Sequence, residues 1–263
     1  PVLGKICDIK KVTKKLGITK ALVAIPSGQS AQLRVIYRAV LDAGIELRTL
    51  PSLKDMLDGK VDPFQIKEIE PQDLLGRAPV NLDKEFMNET FFDKTIMITG
   101  AGGSIGSELC TQIAQYSPRT MVLFEQTELF LYQIEMNLSA QFPKVNFIAK
   151  IGDVRDYESL ENIVSQCKPD VLFHAAAYKH VPLMEKNPGE AVLTNVVGTS
   201  NAAIIAGKYS VPRFVLVSTD KAVNPTNIMG ATKRAAEIAC QICVEDYSET
   251  KYMVVRFGNV LGS

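Results

Sequence analysis

The feature that most constrains this chain is the run Thr95-Ile96-Met97-Ile98-Thr99 followed at once by Gly100-Ala101-Gly102-Gly103-Ser104-Ile105-Gly106. The first five residues, mostly β-branched or apolar, make a short buried strand. The glycine-rich turn then opens a helix over Ser104–Tyr116. Each glycine has a mechanical reason. Gly100 allows the tight turn, Gly103 lets backbone N–H groups approach a pyrophosphate, and Gly106 lets the helix lie close to the sheet. A glycine trio alone is a weak signal, but between a strand and a helix it points to a dinucleotide, with Ser104 and Ile105 in the same turn.

The rest of the chain supplies the architecture this motif needs. Strands at Met121–Phe124, Phe147–Lys150, Val171–His174, Phe214–Ser218 and Tyr252–Phe257 alternate with helices near 128–141, 156–167, 189–207 and 230–247. Such alternation implies a parallel sheet with ligands at the carboxyl ends of its strands. Upstream, Ala21–Ile25 reads as a strand ended by Pro26-Ser27-Gly28. A helix from about Ser30 to Asp42 then places Leu33, Ile36, Tyr37, Val40 and Leu41 on one face, and Ile45–Leu50 returns as a strand. The expected fold is α/β: a doubly wound parallel Rossmann sheet over 94–263, preceded by a smaller Rossmann-like βαβ domain over 1–75 and a linker over 76–93. The small domain lacks a phosphate-cradling glycine pattern, so a structural or regulatory role is expected of it.

Composition excludes several alternatives. Lys plus Arg and Asp plus Glu both total 29 in 263 residues, so no net charge favours nucleic acid. Five scattered cysteines do not form a disulfide framework, and Cys240 and Cys243 lie inside a helical pattern as small buried residues. No His/Cys spacing of a metal site is present, and no metal is expected. No apolar run approaches the ~20 residues of a membrane span. Both ends look cut, so the expectation is an excised piece of something larger.

Glu125 closes the second strand, where a carboxylate can hold the adenosine ribose hydroxyls and repel the extra phosphate of NADP; NAD is therefore the expected cofactor. Asp153 and Val154 follow the third strand, with Asp153 read either as an adenine contact or as a turn residue. Ala175, Ala176 and Ala177 offer small side chains where backbone must approach the cofactor.

Ser218-Thr219-Asp220-Lys221 ends the fifth strand, and Met229-Gly230-Ala231-Thr232-Lys233 starts the next helix. Here the chain resembles the extended short-chain dehydrogenase/reductases, in which a Ser or Thr is followed by Tyr-x-x-x-Lys. The tyrosine position holds Met229, which can neither donate nor accept a catalytic proton. The domain is then a degenerate cofactor binder, or Met229 fills a core gap, or the chemistry has moved to other side chains. The third reading is favoured by a closer resemblance. The run from Ser218 to Arg234, together with Thr99–Leu109 and His174–Pro182, is similar to the membrane-anchored bacterial UDP-N-acetylglucosamine 4,6-dehydratases, in members that retain configuration at carbon 5.

That resemblance implies a UDP-sugar substrate and a location on the cytoplasmic side of the bacterial inner membrane, reached through a missing N-terminal anchor; homo-oligomerisation is left open. It implies hydride passing from carbon 4 of the sugar to NAD and back to carbon 6, with Thr219 helping to remove the hydroxyl proton. Lys221 is then the base at carbon 5, and Asp220 the acid that protonates the departing hydroxyl, with Lys233 on the nicotinamide ribose. This needs a partly neutral Lys221 and a partly protonated Asp220, hence a dry pocket. Lys179 and His180 face either the sugar diphosphate or solvent. Asn195 positions active-site backbone or meets the substrate, and Arg256 and Asn259 match the family's substrate-side Arg-x-Gly-Asn-Val segment. His174 reads as a satisfied strand residue.

Overall fold

A computed structural model of the chain describes residues 2–24, 30–49, 67–68, 83–258 and 260. The chain divides into two compact units, Pro1–Asn81 and Leu82–Ser263.

In the first unit, helix α1 (Ile9–Leu16) precedes strand β1 (Lys20–Val23), helix α2 (Ser30–Ala43) and strand β2 (Glu46–Thr49). β1 and β2 pair in parallel, with Lys20 opposite Glu46, and the two-residue β3 (Lys67–Glu68) adds antiparallel to β2. Val23, Ile36 and Val40 form its buried core, whereas Leu41, placed with them by helical spacing, is 59% exposed. The turn at Pro26-Ser27-Gly28, the side chain of Leu33 and the strand end at Leu50 lie outside the described residues.

The second unit starts with α3 (Lys84–Phe91), capped by Asp83, whose Oδ1 accepts from the N–H groups of Glu85 and Phe86. These residues fall within the stretch expected as linker. They are helical because Asp83 satisfies two free donors and Phe91 docks into the core at 5% exposure. Strands β4 (Thr95–Thr99), β5 (Thr120–Glu125), β6 (Asn146–Ile151), β7 (Val171–His174), β8 (Arg213–Thr219) and β9 (Lys251–Phe257) then form one sheet in the order β6-β5-β4-β7-β8-β9. Every neighbouring pair is parallel. Chain order reverses between β4 and β7, which is where such a sheet leaves a crevice beyond its carboxyl ends.

Alternation along the strands divides the core into two layers. Met97, Val122, Phe124, Leu172, Phe214 and Leu216 point to one face, under α6 (Tyr157–Cys167), α9 (Gly198–Lys208) and α10 (Ile228–Asp246). Ile96, Ile98, Met121, Leu123 and Val171 point to the other, under α3, α4 (Ser104–Ala114) and α5 (Glu128–Gln141). Each such large side chain contributes roughly 1.5–3 kcal/mol on burial, so the sheet holds its strand ends firmly. Cys240 and Cys243 belong to this core, where burial pushes the Cys240 thiol up to about 12. They pack as small apolar groups rather than as a redox pair. Between β7 and α9 run α7 (Val181–Lys186), α8 (Pro188–Val192) and a π-helical turn, Leu193–Val197.

A candidate active site at the carboxyl edge of the sheet

The turn after β4 is built by the absence of side chains. Gly100 has φ +69°, and a Cβ there would come within 2.7 Å of the Ala176 backbone. A Cβ on Gly106 would lie 2.0 Å from the Gly100 carbonyl oxygen, so α4 sits on the turn at a distance that only glycine permits. Gly103 is the N-cap of α4 and donates to the Gly100 carbonyl at 3.1 Å. Ser104 is exposed and Ile105 half-buried in the first helical turn.

Gly100, Gly103, Glu125, Val154, Ala175, Ala176 and Ala177 line one cleft, joined by Phe130 and Tyr178, which sequence patterning does not single out. Glu125 is 7% exposed. Its Oε2 accepts from Gly102 N–H at 3.1 Å and its Oε1 from Thr127 N–H at 3.0 Å, fixing the carboxylate at the cleft wall. Asp153 is bonded within its turn. Its Oδ1 accepts from Arg155 N–H at 2.9 Å and its Oδ2 from Arg155 Nε at 2.7 Å. Burial pushes its pKa up, but those Arg155 bonds outweigh it and hold the carboxylate below its usual range. Both oxygens serve the turn, the second of the two roles expected of this residue, and Oδ1 keeps a lone pair for a further donor. Arg155 also reaches Glu190 at 2.8 Å.

Behind the cleft runs a chain of buried polar groups. The Thr199 hydroxyl spends its proton on the Asn195 carbonyl at 2.7 Å, so it accepts from His174 Nε2–H at 3.0 Å. His174 Nδ1 is then left to accept from the Thr99 hydroxyl at 2.8 Å. Burial, and then the Lys233 charge, push His174 down to about 3, which keeps it neutral. It is the satisfied strand residue expected from sequence. Asn195, in the π-helical turn and fully buried, accepts from Tyr178 N–H at 2.8 Å and donates to the Tyr178 carbonyl and to Thr232 Oγ1. All its polar atoms face protein, so it holds loop backbone and does not touch a substrate directly.

At the end of β8 the picture is different. Thr219 Oγ1 donates to Asp220 Oδ1 at 3.0 Å, and Lys221 Nζ lies 3.5 Å from the same oxygen. The Asp220 side chain is 59% exposed and that of Lys221 35%. The Thr219 hydroxyl, helped by the Lys221 charge, holds the Asp220 carboxyl below its usual range. Among the described residues nothing covers this pair.

Met229 is 4% exposed, packed with Met184 and Ala191. It fills the core at the tyrosine position and presents nothing to a reacting atom. Lys233, four residues on, is 5% exposed, and its Nζ donates to the Val217 carbonyl at 2.7 Å. Burial pushes it down to about 8. Lys179 and His180 are exposed and line a second cleft with Leu183, Asn187 and Glu190. Tyr178 lines both clefts.

Arg256 Nε donates to Glu237 Oε1 at 2.8 Å, so part of its fork grips a neighbouring helix, while its side chain stays 38% exposed. Glu237, not anticipated from sequence, is 1% exposed and also accepts from Ser218 Oγ at 2.6 Å and Arg234 at 3.0 Å. Burial would raise its pKa, but the bonds from Arg256, Ser218 and Arg234 win and hold it at about 2. The one available signal was its spacing, four residues beyond Lys233 on one helix face. Asn259 lies outside the described residues. No group of three His, Cys, Asp or Glu side chains with metal-site geometry occurs among the described residues, and no helix there is long and apolar enough to cross a membrane.

A glycine turn at the switch point of a six-stranded parallel sheet, with an acidic residue closing β5, defines a Rossmann-fold domain. Residues 96–263 match the family described as polysaccharide biosynthesis protein, and the chain belongs to that family. It is 43% identical over its whole length to the capsular polysaccharide biosynthesis protein CapD of Staphylococcus aureus, of which it spans 44%. Two further relatives are each 36% identical over 66% of this chain and 51% of their own length. One is an inverting UDP-N-acetylglucosamine 4,6-dehydratase of Campylobacter jejuni, the other a UDP-glucose 4-epimerase of Rickettsia canadensis. The chain thus spans about half the length of these curated relatives.

Proposed function

We propose that this chain carries the NAD-binding half of an enzyme that converts UDP-N-acetylglucosamine to its 4-keto-6-deoxy derivative, with retention at carbon 5, in polysaccharide biosynthesis. One observation carries the reading: the reactive turn Thr219–Lys221 stands beside a tyrosine position filled by a buried methionine. Without a phenol, proton transfer falls to side chains of that turn.

The cleft fits a dinucleotide. Glycine and alanine leave room for backbone approach, and Gly103, the N-cap of α4, lines it, so the helix starts at the cleft wall. Glu125 is fixed where ribose hydroxyls can donate to it. NAD, when bound, supplies a reversible hydride store, so that the net reaction is loss of water. In the proposed cycle the Thr219 hydroxyl helps withdraw the carbon 4 hydroxyl proton, and Lys221 removes the proton at carbon 5. Asp220 protonates the hydroxyl leaving carbon 6, which requires bound sugar to exclude water and raise its pKa from the lowered value it has in the open site. Lys233, held at the Val217 carbonyl, places a cation at the base of this group. Lys179 and His180 stand on the second cleft as candidate ligands of the diphosphate.

A second reading, a UDP-sugar 4-epimerase, is favoured by a relative of that name at the same 36% identity as the dehydratase, and epimerisation needs no acid at carbon 6. Mass spectrometry of the product made by the full-length protein separates the two. The proposed product is lighter than its substrate by one water; a 4-epimer has unchanged mass and would overturn the assignment.

A further inference from the structure

Three contacts from one face of α10 grip the reactive turn and the strand end that leads into it. A Cβ on Gly230 would lie 2.6 Å from the Lys221 carbonyl oxygen, so the helix start rests against the turn. One turn later Lys233 Nζ donates to Val217 O at 2.7 Å, and one turn further Glu237 Oε1 accepts from the Ser218 hydroxyl at 2.6 Å. Positions 230, 233 and 237 share a helical face, so α10 docks along β8 up to the residue before Thr219.

Glu237 does more than end this row. Ser218 and Arg256 are register partners on β8 and β9, and both donate to its carboxylate. One buried anion therefore joins two strand ends just before Thr219 on one side and Gly258 on the other. These ends also meet beyond the carboxylate: a Cβ on Gly258 would come 3.1 Å from Asp220 Oδ2. Arg234, on the same helix, closes the set at 3.0 Å. A buried carboxylate bonded from three elements is a fixed point, and withdrawing its charge leaves Arg256 uncompensated.

We infer that Glu237 is a positioning residue for the turn Thr219–Lys221. It locks the ends of β8 and β9 to α10, with Arg256 as its partner, so that the Thr219, Asp220 and Lys221 side chains present as one set. The chemistry assigned to that set rests on the function proposed above; the geometric claim does not.

The test compares the full-length protein with its Glu237→Gln, Glu237→Asp and Arg256→Gln variants by amide hydrogen exchange and by kinetics. In Glu237→Gln, exchange across 218–223 should quicken about 10-fold while 98–106 stays unchanged, a local rather than global opening. Turnover of UDP-N-acetylglucosamine should fall about 100-fold in kcat, as expected of misplaced reacting groups. KM and NAD affinity should stay within about twofold, because the cofactor cleft is untouched. Glu237→Asp, which keeps the charge, should recover part of kcat. Should Glu237→Gln not fold, Arg256→Gln leaves the carboxylate bonded to Ser218 and Arg234 and carries the same comparison. Exchange that is unchanged at 218–223, or that rises equally throughout the domain, overturns the inference. A wild-type protein that makes only the 4-epimer removes the proposed function, yet the exchange pattern and the epimerase kcat still judge Glu237.

Discussion

The ends of β4 and β8 lie at the same edge of one sheet but are made in opposite ways. At β4 the shape is set by backbone: Gly100 and Gly106 approach other main-chain atoms at distances that exclude a Cβ. At β8 it is set by side chains of the next helix, Glu237 holding the Ser218 hydroxyl and Lys233 the Val217 carbonyl. A site of the first kind is finished once the sheet and helix form. The second kind depends on those partners, and the proposed chemistry at Asp220 needs a carboxyl raised from the lowered value that the Thr219 hydroxyl gives it. Binding is therefore expected to be intrinsic to the cleft, and chemistry to await the bound substrate.

The sharpest way to break this contrast is Lys221→Ala. Loss of a general base should lower kcat by about 10²–10⁴ and leave NAD affinity within about twofold. Steady-state rates and a binding titration check this, and equal losses in both would merge the two ends into one site. Gly106→Ala should do the reverse, weakening NAD binding first. Its Cβ would meet the Gly100 carbonyl oxygen at 2.0 Å, so α4 must move away, at a cost of roughly 1–3 kcal/mol read by urea unfolding.

The buried chain behind both ends gives a pH signature. His174 titrates near 6.5 when exposed and is pushed down to about 3 in the fold. The unfolded chain thus takes up a proton that the native state refuses, and stability falls as pH drops from about 6.5 toward 3. At pH ~5 the loss is about 2 kcal/mol relative to pH ~8. Urea unfolding at the two values should show this slope in wild type and not in His174→Gln; identical slopes would contradict the neutral assignment. The smallest change is expected from Glu125→Gln, which keeps shape but gives up the charge and one acceptor for Gly102 and Thr127 N–H groups. NAD affinity should fall by about 1–2 kcal/mol, and NADP should lose less, when both are titrated.

The same contrast explains what could be read from the sequence. Gly100, Gly106 and Glu125 were legible because strand, turn and helix succeed one another locally, and the parallel, doubly wound sheet followed from the βαβ alternation. Thr219, Asp220 and Lys221 were legible as residue types, but their exposure was not, because it depends on how β8, β9 and α10 meet. The bond that Arg256 makes was hidden for the same reason. Its partner Glu237 lies 19 residues away in sequence and enters only through the pairing of β8 with β9. Asp153 bonds a neighbour two residues on, and pattern alone does not choose between that turn role and a ligand role. The helix at Lys84–Phe91 was hidden in a stretch read as linker because its signal is a single cap, Asp83.

The central claim is that the Thr219–Lys221 turn performs acid–base chemistry at carbons 5 and 6 and not merely at carbon 4. It is tested most directly by incubating the full-length protein with UDP-N-acetylglucosamine in deuterated water and locating the label by NMR. Removal of the carbon 5 proton by Lys221 predicts a 4-keto-6-deoxy product deuterated at carbon 5, with that label lost along with product in Lys221→Ala. A 4-epimer without deuterium would contradict the account.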